Sequence, residues 1–118
     1  MAQDEVPQGL PYGIIDPDYA RVFTKARIAA WSYGYALGLQ GSFTRDLDVI
    51  AVPWTEHACG ADNLIIALEH ATGLKRQGPP SDKPHGRKSV TLLFPEFGDN
   101  RWLDVAIFPL LHTAQQTQ

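Results

Sequence analysis

Residues 41–52 read GSFTRDLDVIAV, a Gly41-Ser42 turn running directly into an apolar stretch that carries two aspartates. Side chains at i and i+2 of a strand leave the same face, so Asp46 and Asp48 are expected to point together while Leu47 and Val49 point the other way. Two like charges held side by side are unfavourable unless a cation, or a proton shared between them, offsets the repulsion. An apolar strand that keeps such a pair is the first pointer to function. The bland reading is a solvated turn before an edge strand, with Arg45 pairing one acid.

A second pointer lies near the other end of the chain. Residues 102–108 read WLDVAIF, and their one charge is Asp104. A carboxylate among residues that should be buried loses hydration at a cost of several kcal/mol unless it is paired, protonated or bound to a metal. A salt bridge to Arg101 or Arg87 would meet that need as well as a metal would. Taken together, Asp46, Asp48 and Asp104 form one candidate site of oxygen donors. Such a set favours a hard cation, with Mg²⁺ completing its octahedron from water and substrate phosphates.

Working outward, Asp16-Pro17 is a helix start, an N-cap acceptor before a proline at the first helical position. Val22, Ala26, Ala29 and Tyr33 recur at helical spacing as its core face, and Gly34 is its stop. Residues 35–40 alternate as a strand with Tyr35, Leu37 and Leu39 on one face. The strand at 46–52, closed by Pro53, is apolar enough to be covered on both faces by helices. After a polar turn at 54–60 comes a helix with Leu64, Ile65, Leu68 and Ala71 buried and Gly73 as its end. Residues 75–88, KRQGPPSDKPHGRK, show no apolar periodicity and read as a long loop. Strands at 89–94 and 101–108 follow, joined by a turn at 96–100. The expected fold class is therefore α+β, a small mixed β-sheet packed by helices, in one domain over 1–118. Residues 1–15 read as an extended arm and 110–118 as a frayed tail.

Composition narrows the function. At 118 residues with 44% hydrophobic and 19% charged residues, the chain has the make-up of a folded domain with a single core. There is no signal-like or membrane-spanning stretch, which leads us to expect a cytoplasmic protein. Cys59 is the only cysteine, so neither an intrachain disulfide nor a cysteine zinc site can form. A net charge of −3 argues against a general nucleic-acid-binding protein. Yet Lys75, Arg76, Lys83, Arg87 and Lys88 are half of the 10 Lys and Arg residues, and they lie in one stretch with His85. A small phosphorylated ligand fits that asymmetry. Glu56, His57, Asp62 and His70 match no helical ligand motif and read as cap and surface positions. Trp54 is a residue that could stack on a base, though a rim or core role is commoner.

A Gly-Ser pair at a strand end, an Asp-x-Asp in a hydrophobic strand and a single Asp in a later strand resemble the nucleotidyltransferase superfamily related to DNA polymerase beta. Within it the chain is similar to minimal stand-alone versions and to short phage and bacterial proteins with an RDLD segment. The resemblance implies that Asp46, Asp48 and Asp104 are catalytic and hold Mg²⁺, with Asp104 helping to deprotonate an acceptor hydroxyl. It implies that Gly41, Ser42 and Arg45, with Arg87 or Lys88, bind the phosphates of a nucleoside triphosphate. The chain departs from the family at one place. Only Phe43, Thr44 and Arg45 separate the Gly-Ser pair from the first Asp, which shortens the triphosphate cradle.

Two kinds of function follow from the resemblance. One is a Mg²⁺-dependent transferase moving a nucleoside monophosphate from a triphosphate to a hydroxyl acceptor, a small molecule or a protein. The other is a non-catalytic descendant of that fold, a binding module of phage type directed at a host protein. A subunit that takes its acceptor site from a partner chain is a third variant.

Overall fold

The computed structural model describes residues 16–41, 47–95 and 99–111. The proposed arm at 1–15, the residues Ser42, Arg45 and Asp46, the turn residues 96–98 and most of the tail lie outside the described residues. Among the described residues the chain runs α1 (Pro17–Ser32), β1 (Tyr35–Gln40), β2 (Leu47–Pro53), α2 (Ala61–Thr72), β3 (Lys75–Arg76), β4 (Ser81–Asp82), a 3₁₀ turn (Pro84–Gly86), β5 (Lys88–Leu93) and β6 (Trp102–Ile107). The fold is α+β, with two helices on a mixed sheet ordered β1-β2-β6-β5-β3, and β4 also pairs with β5. Strand β2 is antiparallel to β1 and parallel to β6, while β5 is antiparallel to β6. No helix among the described residues is long and apolar enough to cross a membrane.

Both helices begin and end as local chemistry dictates. Asp16 caps α1 by accepting the Asp18 N–H at 2.9 Å, and Pro17 opens the first turn. Gly73 closes α2 in the left-handed region, where it returns its N–H to Glu69 O. The buried face of α1 differs from the expected one: Tyr19, Val22, Ala26 and Ala30 hold it. Tyr33 falls beyond the last helical turn and stays 46% exposed, so the stripe moves back by one turn to Tyr19.

Alternation places the core. Tyr35, Leu37, Leu47, Val49, Ala51, Val90, Leu92, Leu103, Val105 and Ile107 face the helices and join Val22, Ala26, Leu64, Ile65 and Leu68 in one cluster. Strand β2 alternates buried with half-buried along its whole length, so helices cover one face of it and not both. The apolar residues of its second face fill lateral space instead. Ile50 lies over Gly38 of β1, where an added Cβ would come within 3.4 Å of Ile50 Cγ1. An apolar pair on an open face is ordinary and does not require a second helix layer.

The stretch 75–88 is more ordered than a loop. It folds back so that β3 and β4 pair with β5, supplying partners to an edge that would otherwise expose its backbone donors and acceptors. Arg76 is drawn into a two-pronged bond with Glu69 of α2, which holds that carboxyl below the usual range. At the far end, Leu110 packs on the core, so the tail is held further than expected.

Tyr35 of β1 is buried in the core, and its hydroxyl donates to Cys59 O at 2.7 Å. Burial, with a smaller contribution from Cys59, pushes the phenol up to about 12. A proton held more tightly in the folded state stabilises below the unfolded pKa of about 10 and is lost as pH rises through the folded one. Urea unfolding should therefore show stability falling between about pH 10 and 12. Tyr35→Phe should remove that fall and cost about 1 kcal/mol at neutral pH.

Candidate active site

The cross-strand register brings the two described acids together. Asp48 of β2 and Asp104 of β6 are direct partners in the parallel ladder. Residues aligned in this way share a face on strands about 4.8 Å apart. That face is the one opposite the helices, since Leu47, Val49, Leu103 and Val105 on either side of the acids are all buried in the core. The same row continues outward in both directions. Gln40 of β1 pairs with Asp48, and Thr91 of β5 pairs with Asp104. Four adjacent strands thus place Gln40, Asp48, Asp104 and Thr91 in one polar line across the sheet.

Asp104 is held by neutral donors. The Thr91 hydroxyl donates to Oδ1 at 2.7 Å, and the Trp102 indole N–H donates to Oδ2 at 3.1 Å. Among the described residues no cation pairs with it. Arg101 turns away to bind Asp99, Asp16 and Asp18. Arg87 donates from Nε to Pro84 O and lies 6.0 Å from the Phe108 ring centre. The salt bridge that would have explained Asp104 is thus absent from both expected donors. Each carboxylate oxygen keeps acceptor capacity beyond its one neutral bond.

Gly41 stands next to this row at the end of β1, with φ +84°. A Cβ there would meet Asp48 Oδ2 at 3.4 Å, so glycine provides both the left-handed turn and clear space beside the carboxylate. Gly41→Ala should lower stability by about 1 kcal/mol, measured by urea unfolding, because an L side chain strains the turn.

Arg87 and Lys88, the expected phosphate ligands that are described besides Gly41, are not brought to the acids. Lys88 pairs with Ile107, three positions along β6 from Asp104. That is a distance of about 10 Å along the strand. Its ammonium bonds Asp82 instead, which lowers that carboxyl and raises the lysine. Arg87 precedes Lys88 at the same end of the sheet. Trp54 stacks on Trp31, with ring centres 4.4 Å apart, at the opposite end of β2 from Asp48. Among the described residues no three potential ligands of the His, Cys, Asp and Glu types cluster. Asp46 is not one of those residues, so the set stands at two described acids.

Thr91, Trp102 and Gln40 stand beside the two acids, and motif reading does not reach them. Trp102 stands two positions before Asp104, a spacing that puts both on one face and was available as a signal. Thr91 and Gln40 depend on strand register, which no local pattern states.

This arrangement is an α+β core, a mixed sheet backed by two helices with carboxylates on neighbouring parallel strands. Among solved structures, the chain is similar to the Cid1 poly(U) polymerase in a crystal structure described as MgGTP bound, with a TM-score of 0.51 and 14% identity. The match covers 80% of this chain and 33% of that one, so the chain spans about one third of the polymerase. At that identity the likeness is one of fold. No protein-family model matches the chain, and no curated protein matches it.

Proposed function

We propose that this chain is a minimal nucleotidyltransferase core that moves a nucleoside monophosphate from a nucleoside triphosphate to a hydroxyl. The observation that carries the reading is the in-register pair Asp48 and Asp104 on the open face of adjacent parallel strands, with Asp104 bonded, among the described residues, by the neutral donors Thr91 and Trp102. The donor set fits a hard divalent cation, being all oxygen, and among the described residues no lysine or arginine forms a salt bridge with Asp104. Asp48 and Asp104 would hold Mg²⁺, and Asp46 is carried as a third ligand on its Asp-x-Asp spacing. When bound, Mg²⁺ supplies neutralisation of triphosphate charge and a lowered pKa at the attacking oxygen.

The chain's own groups account for the rest. Gly41 leaves room for a phosphate to approach the backbone, while Ser42 and Arg45 are proposed as its hydrogen-bond donor and counter-charge. Asp104, oriented by Thr91 and Trp102, takes the acceptor's proton and passes it to water. The acceptor oxygen bonds to the α-phosphorus as the bond from that phosphorus to the α,β-bridging oxygen breaks, and pyrophosphate leaves. Arg87 and Lys88, tied to Pro84 and Asp82, are not assigned a phosphate role. A thermal unfolding series with Mg²⁺ and each common nucleoside triphosphate tests the reading, because a ligand that binds only the folded state raises its melting temperature.

The interaction-module alternative has one observation in its favour. Trp31 and Trp54 stack on each other while remaining 57% and 49% exposed, well away from the acids. Absence of any triphosphate shift, with Mg²⁺ present, would favour it.

A further inference from the structure

The row Gln40-Asp48-Asp104-Thr91 has two ends. At the β1 end stands Gly41, where the proposed reading places the phosphates. At the β5 end, Thr91 reaches beyond Asp104 into a cavity of about 310 Å³ under the bow of chain between β3 and β4. Gln77, Ser81, Lys83, Ser89 and Thr91 line it. Ser89 and Thr91 flank the buried Val90 and so lie on the same face as the acids. The bow is hydrogen-bonded in place: the Gln77 N–H donates to Thr91 O and the Lys83 N–H to Arg87 O, each at 2.8 Å.

Three features of this cavity bear on what it takes. Beside Pro79 and Val90, its polar side chains are an amide, hydroxyls and an ammonium, with no carboxylate among them. Among the described residues Lys83 makes no salt bridge, whereas Arg76 and Lys88 on either side of the bow are both paired with acids. Its volume stands at the small end of the range of about 300–1,000 Å³ for small-ligand pockets. A compact anionic polyol meets all three conditions. Direction agrees as well: in-line displacement puts the attacking hydroxyl opposite the leaving group. With the leaving phosphates at the β1 end, the hydroxyl arrives across β6 from the β5 side.

We propose that this cavity is the acceptor site, and that the acceptor is a small sugar phosphate whose anion meets Lys83 and whose hydroxyl is presented past Thr91 to Asp104. The proposal rests on the transferase reading above. Its test is amide mapping by NMR on the full chain titrated with ribose 5-phosphate. Saturable shifts should appear at Gln77, Ser81, Lys83, Ser89 and Thr91. Lys83→Ala should weaken binding about tenfold and Lys83→Arg should restore most of it, as expected for loss and return of one charged contact. Unphosphorylated ribose should bind about as weakly to the wild type as ribose 5-phosphate binds to Lys83→Ala. No response at these amides, or equal affinity in Lys83→Ala, overturns the proposal. So does a short single-stranded RNA that shifts them where ribose 5-phosphate does not. The two readings fail separately. A triphosphate shift with a silent cavity contradicts the sugar-phosphate site alone. Ribose 5-phosphate binding with no triphosphate shift contradicts the transferase reading and the acceptor role together.

Discussion

Asp48→Asn and Asp104→Asn should each erase the stabilisation that Mg²⁺ with a nucleoside triphosphate confers. A ligand at about 100 times its Kd adds about 2.7 kcal/mol to folding, which in a domain of this size raises the melting temperature by roughly 10 °C. That increment depends on two negative charges held in one row, since a neutral amide cannot offset a divalent cation's loss of water. Asparagine keeps the shape and half-exposed position of either residue, so the metal-free melting temperature should move by only a few degrees. Differential scanning fluorimetry with and without Mg²⁺ separates the two effects. A mutant that kept the shift would remove its residue from the metal site.

The largest loss of stability is expected from Arg101→Ala. Arg101 stands at the entrance to β6, donating from Nη1 to Asp16 and Asp18 and from Nε and Nη2 to Asp99. Its guanidinium lies 4.6 Å from the Phe94 ring centre and 5.9 Å from that of Tyr19. One side chain thus ties the start of α1 to the start of β6. Its removal leaves three carboxylates facing one another around the α1 N-cap. The side chain keeps 30% of its surface exposed, so water moderates the cost. We expect a loss of about 2 kcal/mol in urea unfolding, above the usual run of surface substitutions. Arg101→Lys should recover little of it, because an ammonium cannot serve several acids and two rings at once.

The same cluster sets the acid limit. Arg101 holds the Asp99 carboxyl below the usual range, and Arg21 followed by Arg101 does so for Asp18. Depressed carboxylates stabilise above their unfolded pKa, near 4, and that contribution disappears as pH falls through the lower folded values. Acid unfolding of the wild type should thus steepen below about pH 4, and Arg101→Ala should flatten it. A loss under about 0.5 kcal/mol for Arg101→Ala would show the cluster to be ornamental.

Much of this architecture is legible in local chemistry. Asp16-Pro17 marks the start of α1 and Gly73 the end of α2. The alternation of 35–40 gives a strand whose buried residues are the expected ones up to Leu39, which is exposed at the open end of β1. The strand expected at 46–52 is found over 47–53 but is buried on one face rather than on both. The oddity of a charge at Asp48 and another at Asp104 is also visible, because each interrupts an apolar run. What local pattern cannot supply is register. Whether Asp104 meets Asp48 depends on β6 inserting parallel beside β2, and whether Thr91 meets Asp104 depends on how the β5-β6 hairpin closes. The basic stretch misleads for a related reason. Its charges look available in the sequence, but pairing of β3 and β4 with β5 delivers Arg76 to Glu69 and Lys88 to Asp82. Arg101, a neighbour of Asp104 in sequence, is captured by the N-terminus of α1, more than 80 residues away in the chain.

Asp48 and Asp104 are proposed to hold one divalent cation on the open face of the sheet. Mn²⁺ accepts the same oxygen ligands as Mg²⁺, and its unpaired electrons broaden nearby amide signals. Titrating substoichiometric Mn²⁺ into the labelled chain tests this directly. Selective broadening is expected at Gly41, Asp48, Asp104 and Thr91, reversed by excess Mg²⁺. Broadening centred on the exposed acids Asp62 and Asp82, or spread evenly over the surface, would contradict it.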